Sequence, residues 1–236
     1  MANPSLTILS TRPVDKELVD YAANRGIQLE VQPFITTVAI DDYEVTEEIR
    51  LALEEELTVV FTSMNAVEAV AAHMHDFQPN WRVYCMGYAT KKLVEEYFGE
   101  DSIVDTGDDA TDLAEKIIES GEEEEVTFFC GDQRRDELPE ALRGAGIDVN
   151  EVTVYQTIQL PHEIKGQYAG ILFFSPSAVH SFFEKNKKLA GHTVLFAIGN
   201  TTAKAIKEHC TNPVVIADEP GKSNLVEQAI DFFSSK

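Results

Sequence analysis

The residues best suited to chemistry are hydroxyl and amide side chains placed where an apolar run gives way to a helical pattern. Ser63 and Asn65 stand before a pattern starting near Ala66, and Asn65 and Glu68 have the spacing of a capping box. Ser175 sits directly before Pro176, an N-cap followed by a proline at the first helical position. Gly87-Tyr88-Ala89-Thr90 and Gly199-Asn200-Thr201-Thr202 each set a glycine turn before a further helix. A helix start exposes unpaired N–H groups and a partial positive charge, so it can receive a carboxylate or phosphate without any basic side chain. Taken singly, each of these residues reads as a cap. Four such starts at the carboxyl ends of strands form the place where open α/β sheets bind ligands.

Other motifs fail on their chemistry. Gly144-Ala145-Gly146 lacks a third glycine and follows a helix, so it is no dinucleotide fingerprint. Gly221-Lys222-Ser223 resembles the end of a phosphate-binding loop, but Ile216 stands where the first glycine belongs. His73-x-His75 has no further metal ligands in view and is expected on a surface helix. No Gly-x-Ser-x-Gly elbow is present, and neither serine in Ser175-Pro176-Ser177 has an obvious nearby base, which argues against a hydrolase.

The elements that must position these residues are written twice. Phe61 to Val67 returns as Phe173 to Val179, and Met86 to Thr90 as Ile198 to Thr202, both at an offset of 112 residues; Leu113 and Leu225 keep it. A second pair, Arg12 to Val31 and Arg135 to Val149, stands at an offset of 120, with Leu18 and Gly26-Ile27 answered by Leu138 and Gly146-Ile147. Two offsets exclude a simple tandem and imply copies interleaved by an exchange of segments.

Short β-rich runs (6–9, 58–62, 83–86, 126–130, 170–174, 193–198, 214–217) alternate with helical patterns of ten to fifteen residues, the sequence form of βαβ units and parallel sheets. Helices are expected at about 15–25, 65–74, 89–97, 112–119, 137–144, 177–185, 201–209 and 224–233, nearly all opened by a capping residue. Two Thr/Val/Ile-rich stretches, 31–40 and 152–160, break the alternation and suggest crossing strands. The expected fold class is α/β: two flavodoxin-like parallel-sheet domains joined by a two-stranded β linker. Domain one is discontinuous, 1–33 plus 160–236; domain two is 40–151; the linker strands are 34–39 and 152–159.

The chain has 236 residues, with 19 basic against 41 acidic ones, a formal charge of −22. Such a charge repels phosphate backbones and anionic lipid surfaces, which argues against nucleic acid and membrane partners. Glu54 to Glu56 and Glu122 to Glu125 read as solvated ends of helices or loops. No apolar stretch approaches a membrane span, and Met1 to Ser5 lacks the features of a signal peptide, so the cytoplasm is the expected compartment. Cys85, Cys130 and Cys210 lack metal-ligand spacing and read as reduced, mainly core residues. No surplus apolar stripe is visible, so a monomer is expected.

Five segments, in order, resemble the uroporphyrinogen-III synthase family: Phe61-Thr-Ser-x-Asn-Ala-Val67, Gly131-Asp-Gln-Arg-Arg-x-Glu-Leu138, Val154-Tyr155-Gln156-Thr157, Phe173-Phe-Ser-Pro-Ser-Ala-Val179 and Ala197-Ile-Gly-Asn-Thr-Thr202. Order and spacing carry the resemblance, which runs from Arg12 to the last helix. It implies two α/β domains joined by a two-stranded ladder, the first of them discontinuous. It implies hydroxymethylbilane, a linear tetrapyrrole with eight carboxylates, as substrate, and no cofactor or metal. In the family's reaction the ring A hydroxyl leaves to give an azafulvene. Ring D then attacks through its substituted carbon, and a spiro intermediate reopens and recloses with that ring inverted. Tyr155 matches the tyrosine proposed to help the hydroxyl depart. Arg12, Ser63, Asn65, Tyr88, Thr90, Ser175, Ser177, Thr201 and Thr202 match positions around the family's cleft, Tyr88 less fixedly. A transient contact with the upstream hydroxymethylbilane synthase is a further expectation. Two other readings stand beside this one: a non-catalytic two-domain protein that binds a small anionic ligand to regulate a partner, and a flavodoxin-like nucleotide-binding protein.

Overall fold

A computed structural model describes residues 6–75, 77–219 and 221–234. By contact density the chain divides into two units, 1–36 with 158–236 and 37–157. The first contains β1 (Leu6–Ser10), α1 (Lys16–Ala23), β2 (Ile27–Val31), β9 (Gly170–Phe173), α7 (Pro176–Lys185), β10 (Val194–Ala197), α8 (Asn200–His209), β11 (Val214–Ile216) and α9 (Lys222–Ser234). The second contains α2 (Tyr43–Glu54), β4 (Thr58–Phe61), α3 (Met64–Ala71), β5 (Arg82–Met86), α4 (Ala89–Phe98), β6 (Ile103–Gly107), α5 (Ala110–Ser120), β7 (Glu125–Gly131) and α6 (Glu137–Gly144). Strands β3 (Ile35–Ala39) and β8 (Asp148–Gln159) carry the chain across the two boundaries. This is a mixed α/β fold with two parallel-dominated sheets, as the alternation predicts.

The strand orders explain the two offsets. One sheet runs β2-β1-β9-β10-β11, and the other runs β8-β7-β4-β5-β6 with β3 added beside β8. Position for position, β1 and β2 answer β7 and β8, while β9, β10 and β11 answer β4, β5 and β6. The first unit thus has the flavodoxin-like order 2-1-3-4-5 along its own chain. The second has the same order with the leading βαβ unit moved to its end. In each, the order reverses beside a central strand, at β1/β9 and at β7/β4, and ligands of open α/β sheets bind at the carboxyl ends there.

Neighbouring residues on the central strands serve opposite faces, as a doubly covered sheet requires. Phe61 and Phe129 join Trp81 and Phe98 on one face of the six-stranded sheet, and Val60 and Phe128 join Tyr84 and Leu113 on the other. The Phe61 ring stacks on Phe98 and Phe129 at 5.6 and 5.5 Å. In the other unit Leu9, Ile171 and Phe173 share one face with Phe182 packed on it, while Ile8 and Leu172 on the other face pack with Leu225 and Ile230. Leu113 and Leu225, matched in sequence, are both fully buried.

The structure departs from the sequence reading in several places. Helix α2 and strands β2 and β6 are additional elements. The stretch 31–40 is broken between β2 and β3, and 152–160 is the end of a twelve-residue strand whose first part pairs with β7 in parallel. The capping box at Asn65 and Glu68 does not form: α3 starts earlier, and Ser63 Oγ is the acceptor, taking the Asn65 N–H at 3.1 Å. Side-chain caps hold α2, α3, α5 and α7, but not α1, α4, α6 or α8. His73 and His75 lie beyond the end of α3 rather than on it. Lys222 of the Gly-Lys-Ser segment pairs with Asp15 at 3.2 Å.

Candidate functional site

In the second unit, strands β3 and β8 and helix α3 bring two of the expected residues together. Tyr155 and Asn65 line one cavity of about 170 Å³ with Thr37, Val38, Ala39, Glu68, Ala69 and Ala72. The Thr37 hydroxyl donates to Asn65 Oδ1 at 3.3 Å. Asn65 is free to turn this way because Ser63, two residues earlier, has taken over the cap. Tyr155 is half-buried, its ring packed against the cluster of Phe61 and Phe129. The cavity has room for a few waters, and it holds a phenol, an amide, a hydroxyl and the Glu68 carboxylate.

Tyr88 and Thr90 lie one strand away, at the start of α4. Tyr88 is 86% exposed with φ +59°, a conformation that costs a non-glycine residue about 1–3 kcal/mol and is found most often at functional sites. Thr90 is buried, as is its counterpart Thr202, so a ligand would reach the N–H groups of these turns rather than the two hydroxyls. In the first unit, Ser175 Oγ caps α7 by accepting the Ala178 N–H at 3.2 Å. Ser177 follows in the first turn, and Thr201 is exposed at the start of α8. Arg12, just beyond β1, holds its guanidinium 5.6 Å from the Phe174 ring centre, a contact that leaves the charge facing solvent.

The first turns of α3, α4, α7 and α8 contain no acidic residue, nor does that of α9, whereas α1, α2, α5 and α6 each carry at least one. In a chain with 41 acidic residues, the four repeated starts thus keep their unpaired N–H groups uncompensated. Each presents the partial positive charge of a helix start on a molecule of strongly negative net charge.

Sequence reasoning missed Thr37, Glu68, Gly131 and Asp132. Gly131 lies against the Tyr155 ring, and Asp132 accepts the Thr157 N–H at 2.9 Å. Their signal was present in the Gly131-Asp132 segment, but spacing does not reveal which face of a ring a glycine meets. Arg134 of the same segment is engaged by Asp136 and Glu151, which hold its guanidinium firmly charged. Burial pushes the Cys85 thiol up to about 11 and raises that of Cys130 as well, so neither is a poised thiolate. Among the described residues no group of three or more His, Cys, Asp or Glu side chains could hold a metal ion, and no helix is long and apolar enough to cross a membrane.

A family model described as uroporphyrinogen-III synthase HemD matches residues 16–227. The chain belongs to the uroporphyrinogen-III synthase family. Solved structures share its fold. A uroporphyrinogen-III synthetase from Helicobacter pylori is 17% identical with a TM-score of 0.67, covering 96% of this chain and 99% of that one. A mutant uroporphyrinogen III synthase from Thermus thermophilus is 16% identical with a TM-score of 0.63, covering 98% and 100%. Family membership makes the protein an enzyme of tetrapyrrole biosynthesis.

Proposed function

We infer that this protein is a uroporphyrinogen-III synthase, a cyclising hydro-lyase that converts hydroxymethylbilane to uroporphyrinogen III with loss of water. The family match over residues 16–227 carries this reading. The substrate bears eight carboxylates, and the four acid-free helix starts suit such a ligand, that of α4 with Lys91 and Lys92 in addition. Ser63, Asn65, Tyr88, Thr90, Ser175, Ser177, Thr201 and Thr202 are the proposed binding positions, through side chains or the N–H groups of their turns, with Arg12 adding the one formal positive charge of the set.

Tyr155 is the proposed proton donor. The ring A hydroxyl departs as water once it receives a proton, and a phenol can donate a hydrogen bond or a proton to that oxygen. The azafulvene left behind is attacked by the substituted carbon of ring D, giving the spiro centre. Breaking its bond to the original bridging carbon and rejoining at the other end of the ring inverts ring D, and loss of a proton restores the pyrrole. Much of the enzyme's work is then conformational, holding ring D where this closure outruns the direct one. The protein is proposed to act in the cytoplasm as a monomer and to receive substrate through transient contact with the synthase that makes it. Mixing the purified chain with hydroxymethylbilane generated in situ should consume the bilane faster than the protein-free control; an unchanged rate from folded protein overturns the reading.

A further inference from the structure

The segment Gly131-Asp132-Gln133-Arg134 is not accounted for by binding or chemistry, yet it fastens the strand that carries Tyr155. Along β7 and β8 the pairing runs Phe129 with Val152 and Cys130 with Thr153, then passes over Val154 to put Gly131 opposite Tyr155. This is a β-bulge, a device that re-aims a side chain at the end of a strand. At that point the Tyr155 ring lies on the Gly131 α-carbon. A Cβ added to Gly131 would overlap Tyr155 Cζ and stand 2.5 Å from Cε2 and 2.7 Å from the phenol oxygen. Gly131 does not have a positive φ, so close approach, not backbone freedom, is what its missing side chain provides.

Asp132 clamps the strand on both sides of the ring. Its N–H donates to the Tyr155 carbonyl at 3.1 Å, and its Oδ1 accepts the Thr157 N–H at 2.9 Å. The turn itself is closed by the Arg134 N–H donating to the Gly131 carbonyl at 3.1 Å, and Arg134 is tied to Glu151 further back on β8. The loop therefore grips β8 at Glu151, Tyr155 and Thr157.

We propose that Gly131 and Asp132 are positioning residues that set the place of the Tyr155 phenol, Gly131 by admitting the ring and Asp132 by fixing the bulged backbone. The consequence for turnover rests on the reading of Tyr155 as proton donor, whereas the placement itself does not. The atoms that an alanine at 131 would strike belong to the far end of a half-buried side chain, which can swing aside. Gly131→Ala should therefore spare the fold and move the phenol.

The test combines Gly131→Ala, Tyr155→Phe, their double variant, Asp132→Asn and Asp132→Ala. Each is assayed for kcat and KM, for its urea midpoint, and by NMR of protein labelled with carbon-13 at tyrosine Cζ. Tyr155 is one of seven tyrosines, and its resonance is the one lost in Tyr155→Phe. We expect Gly131→Ala to shift that resonance, to leave the urea midpoint near wild type, and to lower kcat about a hundredfold with little change in KM, the lower end of what a positioned proton donor contributes. The double variant should be no slower than Tyr155→Phe, because both changes remove the same group's action. Asp132→Asn keeps the acceptor and should stay near wild type, while Asp132→Ala should shift the resonance and slow turnover. An unmoved Tyr155 resonance in Gly131→Ala overturns the proposal, as does a double variant slower than Tyr155→Phe by the full Gly131→Ala factor. Asp132→Asn as slow as Asp132→Ala overturns the part assigned to Asp132. If Tyr155→Phe turns over normally while Gly131→Ala still shifts the resonance, the placement stands and the proton-donor reading fails.

Discussion

Ser63 can be asked separately whether it holds a helix and whether it faces the substrate. Its Oγ accepts the Asn65 N–H at 3.1 Å, and α3 has no acidic residue in its first turn. Ser63→Ala removes that acceptor and should cost about 1 kcal/mol, a fall in Tm of about 4 °C for a unit of this size. Ser63→Asp keeps an acceptor and adds a charge that the helix start favours by about 0.3–1 kcal/mol, so it should be as stable as wild type. The same carboxylate would meet a substrate carboxylate at close range. Two like charges about 4 Å apart repel by about 1 kcal/mol in bulk water and about 4 kcal/mol at the effective dielectric of a protein surface. The lower figure alone predicts a rise in KM of about fivefold, since 1.4 kcal/mol corresponds to about tenfold. Thermal unfolding with steady-state assays of both variants reads the two effects apart. Ser63→Asp with an unaltered KM refutes the assignment of substrate carboxylates to this helix start; Ser63→Asp less stable than Ser63→Ala refutes its role as the cap.

Three further outcomes follow from other parts of the molecule. At Gly107 an added Cβ would stand 2.6–2.7 Å from Leu113 Cβ, Cα and N, atoms of a helix that cannot swing aside, so Gly107→Ala should lose about 3 kcal/mol in urea unfolding, and a loss under about 1 kcal/mol contradicts it. His209 is held below its usual range by burial first and by His180 beside it at 3.0 Å, with Lys187 adding to the effect and Glu208 opposing it. A depressed histidine means that the unfolded chain binds the proton more tightly, so the stability it contributes is complete above about pH 6.5 and is lost as pH falls through the folded value. The urea midpoint should drop across that window, and by less in His209→Gln; equal drops refute the assignment. Finally, an octa-anion approaching a chain of charge −22 is repelled over about 10 Å at 0.1 M salt, so kcat/KM should rise as salt is added from low ionic strength, whereas a fall would show that the local helix-start attraction outweighs the global charge.

The parallel sheets were legible because Thr58 to Phe61, Val126 to Cys130 and Gly170 to Phe173 are short apolar runs separated by capped helices, a pattern that only a doubly covered sheet explains. Helix α2 was not, because only Ile49, Ala52 and Leu53 are buried on it; it is held instead by the Asp42 cap and by Arg50 bonded to Glu47 and Glu54 at 2.6 Å. Strand β6 lies at a sheet edge with Val104 and Asp105 exposed, so it shows no apolar run. At the site, the helix starts could be read from Ser175-Pro176 and Ser63, since capping is a local rule. Thr37 could not, because its bond to Asn65 joins residues 28 apart through the fold, and the nearness of Gly131 to Tyr155 depends on a bulge that leaves no trace in local spacing.

A uroporphyrinogen-III synthase is distinguished by which ring isomer forms, so the decisive measurement is the isomer of the product. Hydroxymethylbilane generated in situ is allowed to close in the presence of the folded chain, the products are oxidised, and uroporphyrins I and III are separated. Predominance of isomer III is the predicted result. Isomer I at the level found without protein would contradict the account and leave a ligand-binding member of the family.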